Sequence, residues 1–368
     1  MAGTSLPDAA VGLGNRIGRY FSVVSVLPAL FLVVWTAALV TSDAWQRKPD
    51  PALMVRRLGG LNLSGAAWLI LITVIVALFL HPLQLGMTRL LEGYWGSSRP
   101  ARMLLRSRIT HHRKRLARLE DRELALTEER DAALDTLLTQ IRDIRHPSTM
   151  DPSALAEARE SMFGSDFAHR LSGLQAALAT IPHALARYPR PERIMPTRLG
   201  NILRSAEDAA GKHYAIDAIK TAPHIALVAP ENHLSYLDDA RQQLDTSARL
   251  CVVALLATLE TAVFLLLDGW WLLLALVPYS LAYIAYRASI AAAAQYMGIV
   301  STVLDLNRFR LYEALHLELP RNPREERAKN RELMNLLHGS EKVRLYYKHP
   351  AAGTPSTGAA PSTPPGTP

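Results

Sequence analysis

The sequence predicts an all-α fold: a polytopic integral membrane protein with four transmembrane helices and a helical cytoplasmic section containing a long amphipathic helix. Three observations predict it. Four apolar runs reach span length, a basic stretch free of glycine and, after Pro100, of proline follows the second of them, and the runs lack the strict alternation of barrel strands. Of the 368 residues 49% are hydrophobic and 20% charged, and the charges crowd between the apolar runs instead of mixing into them. One chain is built for two solvents.

Residues 1–19 read as a cytoplasmic N-terminus. Arg16 and Arg19 precede an apolar run from Tyr20 to Val40, longer than the ~7–15 residues of a signal-peptide core, so an uncleaved anchor is expected. Trp68–Leu80 is the most hydrophobic stretch and sits inside the second predicted span; residues 20–95 hold both. The third run, Leu250–Leu267, is interrupted only by Glu260, and the fourth, Trp270–Tyr286, carries no charge. Asp268 and Gly269 are the only break between them, which predicts a tight transmembrane hairpin over residues 249–287. Backbone groups in lipid must be satisfied within the segment, so these runs are expected to be helices.

Arg99, Arg102, Arg106, Arg108, Arg113, Lys114, Arg115 and Arg118 follow the second span with no acid among them, which assigns that side, and both termini, to the cytoplasm of a bacterial plasma membrane. Trp45, Trp270 and Trp271 would form an outer aromatic belt, and Tyr20, Tyr94 and Trp95 an inner one. The first outer loop runs against this bias, with Arg47, Lys48, Arg56 and Arg57 facing Asp43 and Asp50. Residues 288–304 are also uncharged and could count as a fifth span. The preferred reading is a continuation of the fourth helix into a cytoplasmic segment over 288–348, because Ala291–Ala294 are weakly apolar and Arg287 and Asp305 bracket the run.

The cytoplasmic section, 96–248, opens with an expected amphipathic helix over Arg99–Arg145, its Leu116, Leu119, Leu126, Leu134, Leu138 and Ile141 at helical intervals. At 1.5 Å per residue it reaches ~70 Å and needs a packing partner: another helix or, in a coiled coil, a second copy of the chain. His146 and Pro147 stop it, and Asp151 with Pro152 marks a new start. Tyr188–Pro196 is too proline-rich for helix, whereas Thr197–Ala210 places Leu199, Ile202, Leu203 and Ala206 on one face before Gly211. From Glu231 the chain runs without proline or glycine into the third span, which predicts mechanical coupling through one continuous helix. Residues 349–368 contain no core-forming side chains and are expected to be disordered.

P-T-R-L-G-N-I-L-R-S-A-E-D (Pro196–Asp208), L-D-D-A-R-Q-Q-L-D before the third span and D-L-N-R-F-R-L-Y-E-A-L-H after the fourth resemble a group of uncharacterised bacterial, largely actinobacterial, membrane proteins. The resemblance covers roughly the second half of the chain. It implies a four-span layout with the large section inside the cell, and it brings no activity, ligand or catalytic residue.

Glu260 is the sharpest candidate for chemistry, since an intramembrane carboxylate costs about 2.5–3.5 kcal/mol on insertion scales. Reflecting the hairpin about Asp268 and Gly269 sets it level with Pro278, Tyr279 and Ser280, so a hydrogen bond from Tyr279 or Ser280 is predicted. The site would serve as a cation or proton site or as polar glue between helices. The basic run Arg99–Arg118, in a chain of net charge +8, is expected to contact anionic lipid headgroups. No aromatic residue interleaves it, which argues against nucleic acid.

Gly12, Gly14 and Gly18 lack the spacing of a dinucleotide loop; His111 and His112 point to different helix faces; Glu313 and His316 are half of a carboxylate-histidine motif. The single cysteine, Cys251, allows no internal disulfide. No cofactor, metal site or catalytic group is therefore expected. The sequence points to a non-enzymatic membrane scaffold or signal-coupling protein that binds a protein partner or forms a homo-oligomer through its cytoplasmic helices. The alternative is an oligomeric ion channel or transporter with Glu260 at the permeation or coupling site.

Overall fold

The computed structural model describes residues 26–44, 48–60, 62–145, 153, 165–340 and 343–348, and the chain divides into two compact units. Among these residues the structure is all-helical apart from an isolated bridge between Leu317 and Tyr347. The first unit spans residues up to 210 together with 231–302, and the second comprises 211–230 and the chain from 303 onward.

Among the described residues, three helices are long and apolar enough to cross a membrane: Leu63–Leu80, Glu231–Phe264 and the stretch Gly269–Ala314. The first apolar run appears as a shorter helix, α1, Leu27–Thr41, of 15 residues. Residues 20–25 of that predicted span, the predicted N-terminal and C-terminal tails, Trp45, and the helix start at Asp151 and Pro152 lie outside the described residues.

Pro28 sits in the first turn of α1, a position where a missing N–H leaves no intrahelical hydrogen bond unmade. Next comes α2, Pro51–Gly59, capped by Asp50, whose carboxylate accepts from the amides of Ala52 and Leu53. Arg57 of α2 lies 2.6 Å from Asp43 and also donates to the Thr41 carbonyl. Two charges of this loop therefore compensate each other locally.

The helix α3, Leu63–Leu80, starts at an Asn62 cap and turns most of its apolar side chains outward: Leu63, Trp68, Ile70 and Phe79 are exposed. An apolar helix with so little of its surface covered by protein needs a nonaqueous surrounding. Thr73, Ala77 and Leu80 form its buried seam. A short helix, α4, Gln84–Glu92, follows and closes on Gly93 at φ +110°.

The predicted 99–145 helix is present as α5, Arg99–Arg145, 47 residues without a break. It packs on α6, Ser165–Leu185, in antiparallel fashion, since His112 meets Tyr188 while Glu129 pairs with Arg170 at 2.9 Å. Leu116, Leu174 and Ile181 are buried, but Leu124, Leu134, Leu138 and Ile141 remain exposed. Half of the expected apolar spacing is thus used within the chain.

The proline-rich connector forms a 3-10 turn at Pro191–Arg193, and Thr197 then caps α7, Arg198–Ala209. Further on, α9, Glu231–Phe264, is one helix of 34 residues, and α10, Leu276–Ala314, one of 39. Residues 288–304 therefore continue the preceding helix without a turn. The core of the first unit joins α1, α3, α4, α7, α9 and α10 through Ala29, Ala77, Ala248, Ala285, Ala292 and Ala293 with Leu199, Ile202, Leu244 and Val253. Alanines at these contacts let the helix backbones approach closely.

The second unit holds α8, Ala218–Val228, the C-terminal turns of α10, and α11, Pro323–Leu337, around buried Ile225, Leu333 and Met334. Its interior is partly polar. The Tyr312 hydroxyl donates to Asn330 Oδ1 at 2.6 Å, and Asn330 Nδ2 donates to the Tyr214 carbonyl at 2.9 Å. Arg308 binds Glu326 at 2.7 Å and stacks between the rings of Tyr214 and Phe309. Burial, with Glu326 and Glu325 nearby, holds the Tyr312 phenol above its ordinary range. Asn330→Leu is expected to cost about 1–3 kcal/mol, because it strands the buried Tyr312 hydroxyl and takes a donor from the part-buried Tyr214 carbonyl, and thermal unfolding measures it.

Candidate intramembrane polar layers and a basic helix face

Glu260 lies on α9 four residues before the helix ends, and its partner comes from α1: Thr36 Oγ1 donates to Glu260 Oε2 at 2.9 Å. One position further on, Trp35 Nε1 donates to Thr261 Oγ1 at 2.9 Å. This pairing corrects the predicted bond from Tyr279 or Ser280, both of which are exposed. The reason is local. Instead of a two-residue turn, Leu265–Asp268 lead into a 3-10 helix, Gly269–Ala275, before α10 begins. A 3-10 segment rises ~2 Å per residue at three residues per turn, so both the level and the facing of residues 279 and 280 depart from a mirrored α-hairpin. Trp270 and Trp271 stack on each other at 4.5 Å at this end.

A second polar layer lies at the other end of the apolar stretch of α9, and sequence reasoning missed it. Gln84, the first residue of α4, donates from Nε2 to Asp245 Oδ2 at 2.5 Å and accepts at Oε1 from Arg249 Nη2 at 2.6 Å. Arg249 is 1% exposed and Asp245 6%, so an acid and a base are both taken out of solvent there. Arg241 Nε stands 3.8 Å from the same carboxylate, on the exposed side. Such a layer is stable only if its members satisfy one another, which fixes the register of α9 against α4. The legible signal was an Asp and an Arg four apart immediately ahead of an apolar run.

The segment Pro196–Asp208 joins α7 to the end of α4. Thr197 Oγ1 donates to the Glu92 carbonyl at 2.7 Å, and Asn201 bridges the Met195 amide and carbonyl and the Thr197 carbonyl. Arg193 holds both Glu207 and Asp208, while Arg204 binds Glu207 and the Tyr94 hydroxyl. Thr197, Asn201, Arg204, Glu207 and Asp208 of this motif are thus engaged in holding the segment together and to the end of α4.

All eight cations of the run Arg99, Arg102, Arg106, Arg108, Arg113, Lys114, Arg115 and Arg118 are exposed on α5, beside outward-facing Met103 and Leu104. His112, among them, is buried, with Nδ1 3.2 Å from the Tyr188 hydroxyl. Desolvation, then His111, Arg108, Arg115 and Arg198, lowers its pKa to about 4. A folded-state pKa below the ordinary histidine value means that the unfolded chain takes up a proton first. Stability from this site is complete above ~6.5, the ordinary histidine pKa, and is lost as pH falls toward the folded value. Thermal melts from pH 7 to 4.5 should therefore decline more in the wild-type chain than in His112→Phe.

No group of three or more His, Cys, Asp or Glu side chains able to hold a metal occurs among the described residues. No family model matches the chain, and neither does a curated protein or a solved structure.

Proposed function

We propose that this chain is a non-enzymatic, multi-pass membrane scaffold or signal-coupling protein of the bacterial plasma membrane. In this reading α1 completes a four-span bundle with both termini in the cytoplasm, and the α5–α6 hairpin binds a protein partner or a second copy. The observation that carries the proposal is α9, a single helix whose polar half is clasped to α4 through Asp245, Gln84 and Arg249 and whose apolar half carries Glu260. Exposed Leu124, Leu134, Leu138 and Ile141 on α5 supply an uncovered apolar face for that partner. The cationic start of α5, Arg99–Arg118, contacts anionic headgroups in this arrangement.

In-cell crosslinking from cysteines placed at Leu134 and Leu138, with native mass measurement of the purified chain, tests this reading. A captured partner or a defined oligomer is expected, and a strictly monomeric, uncrosslinked product refutes it.

One observation favours a second reading, an oligomeric channel or transporter. Glu260 and Thr36 place a carboxylate and a hydroxyl together within an apolar layer. Reconstituted vesicles decide between the two: ion flux lost in Glu260→Leu supports transport, and a flux-silent wild-type protein supports the scaffold.

A further inference from the structure

Two stripes run along α5, and α6 uses one of them. Steps of three and four residues through His112 and Leu116 give a series from Leu105 to Leu137 in which every position is buried or partly buried, and this face meets α6 and Tyr188. The same steps taken from Met103 give a second series that ends at Ile141, and every position in it except Thr127 is exposed. This second stripe is ~57 Å long and carries the apolar Met103, Leu124, Leu134, Leu138 and Ile141. Charge divides along the helix as well. Arg99–Arg118 holds eight cations and no acid, whereas residues 119–135 hold seven acids and two arginines, so one half of α5 is the electrostatic complement of the other. On the second stripe, Arg113 stands in the basic half and Asp131 in the acidic half, nine residues to either side of Arg122. Both contacts of Arg130 with Asp131 fall on Oδ1, which leaves Oδ2 to accept from elsewhere.

We propose that α5 pairs antiparallel with α5 of a second copy of this chain along the stripe from Met103 to Ile141. The proposal rests on the scaffold reading and names the partner which that reading leaves open. The stripe is symmetric about Arg122, so a twofold axis at that level sets Met103 opposite Ile141 and Arg113 opposite Asp131, each contact occurring twice. The two Leu124 side chains come to either side of the axis. Arg106 lies opposite Leu138, over which its aliphatic stem packs. A parallel pair would set every position against itself, Arg113 on Arg113 and Asp131 on Asp131, and would stack the two basic halves together. Sliding the antiparallel pair by one heptad either carries Leu138 and Ile141 past the partner's stripe or sets Glu120 against Asp131. Two copies in one membrane meet in this way when α5 lies along the bilayer surface, where cations off the stripe, Lys114 and Arg118 among them, reach headgroups.

The test uses the full chain carrying Cys251→Ser, coexpressed in two differently tagged forms, Met103→Cys and Ile141→Cys, and oxidised in native membranes. A mixed disulfide dimer is expected, with little Met103→Cys self-dimer. A dilution series in detergent, followed by light scattering, then measures association of the charge variants. Arg113→Glu alone and Asp131→Lys alone should each weaken it about tenfold, and an equimolar mixture of the two should recover it, because every Arg113–Asp131 position in the mixed dimer is again of opposite sign. That recovery also shows that both variants fold. Ala132→Lys, which adds positive charge to the acidic half off the stripe, should stay within about twofold. A predominant Met103→Cys self-dimer, or a mixture that associates no better than its components, overturns the antiparallel pairing. A dimer indifferent to both reversals overturns this interface and leaves the scaffold reading standing, as does a monomeric chain that crosslinks from Leu134→Cys to a different protein. A monomer that captures nothing overturns both.

Discussion

Asp245→Leu is expected to destabilise the first unit by about 1–3 kcal/mol, the range for leaving a buried hydrogen-bonding group unsatisfied. The side chain is 6% exposed and accepts from Gln84, which in turn accepts from a guanidinium that is 1% exposed. Removing the carboxylate takes a buried acceptor away from Gln84 Nε2. The double variant Asp245→Leu/Arg249→Met should recover much of the loss, because replacing both partners by apolar groups of similar size is often neutral. Thermal unfolding in one detergent compares the two. An Asp245→Leu chain melting with the wild type would show that the layer does not hold α9 to α4.

Gly200→Ala is the second large effect. A Cβ there would lie 2.2 Å from the Glu92 carbonyl oxygen, 2.9 Å from Met195 Cβ and 3.1 Å from Thr197 Oγ1. The nearest atom is backbone, and the Thr197 hydroxyl is bound to the same carbonyl, so α7 must retreat from the end of α4 and that bond must stretch. Overpacking of this kind costs about 1–3 kcal/mol, and Gly200→Val should cost more. Gly298→Ala supplies the contrast. Nothing lies within 4 Å of its built Cβ, and it sits inside α10, so the substitution should gain about 0.5–1 kcal/mol from helix propensity alone. Melting curves in which the two alanine variants move together would refute the close approach.

Much of the fold was legible because long-range solvent segregation leaves a plain mark on sequence. Apolar stretches near Trp68–Leu80 and Leu250–Leu267 fall in helices able to cross a membrane, and the expected helix over Thr197–Ala210 is α7, Arg198–Ala209. The continuity of α9 followed from the absence of proline and glycine after Glu231. What failed was pairing. Glu260 could be placed in a span, but its partner Thr36 lies on a helix more than two hundred residues away, and no periodicity encodes that contact. A mirrored hairpin requires uniform α-geometry on both sides of Asp268 and Gly269, whereas the backbone from Gly269 adopts a tighter 3-10 winding. Asp245 and Arg249 read as ordinary polar residues ahead of a span because burial depends on α4 arriving from elsewhere in the chain.

The clasp at residues 245–249 sits near the midpoint of α9, with ~24 Å of rod before it, back to Glu231, and ~20 Å beyond it, out to Glu260. Beyond the clasp the same helix stays buried at Val253, Ala254, Ala257 and Thr261, so it is held along its length and not at one point. One unbroken helix therefore sets the two polar layers, at Asp245 and at Glu260, ~22 Å apart along its axis.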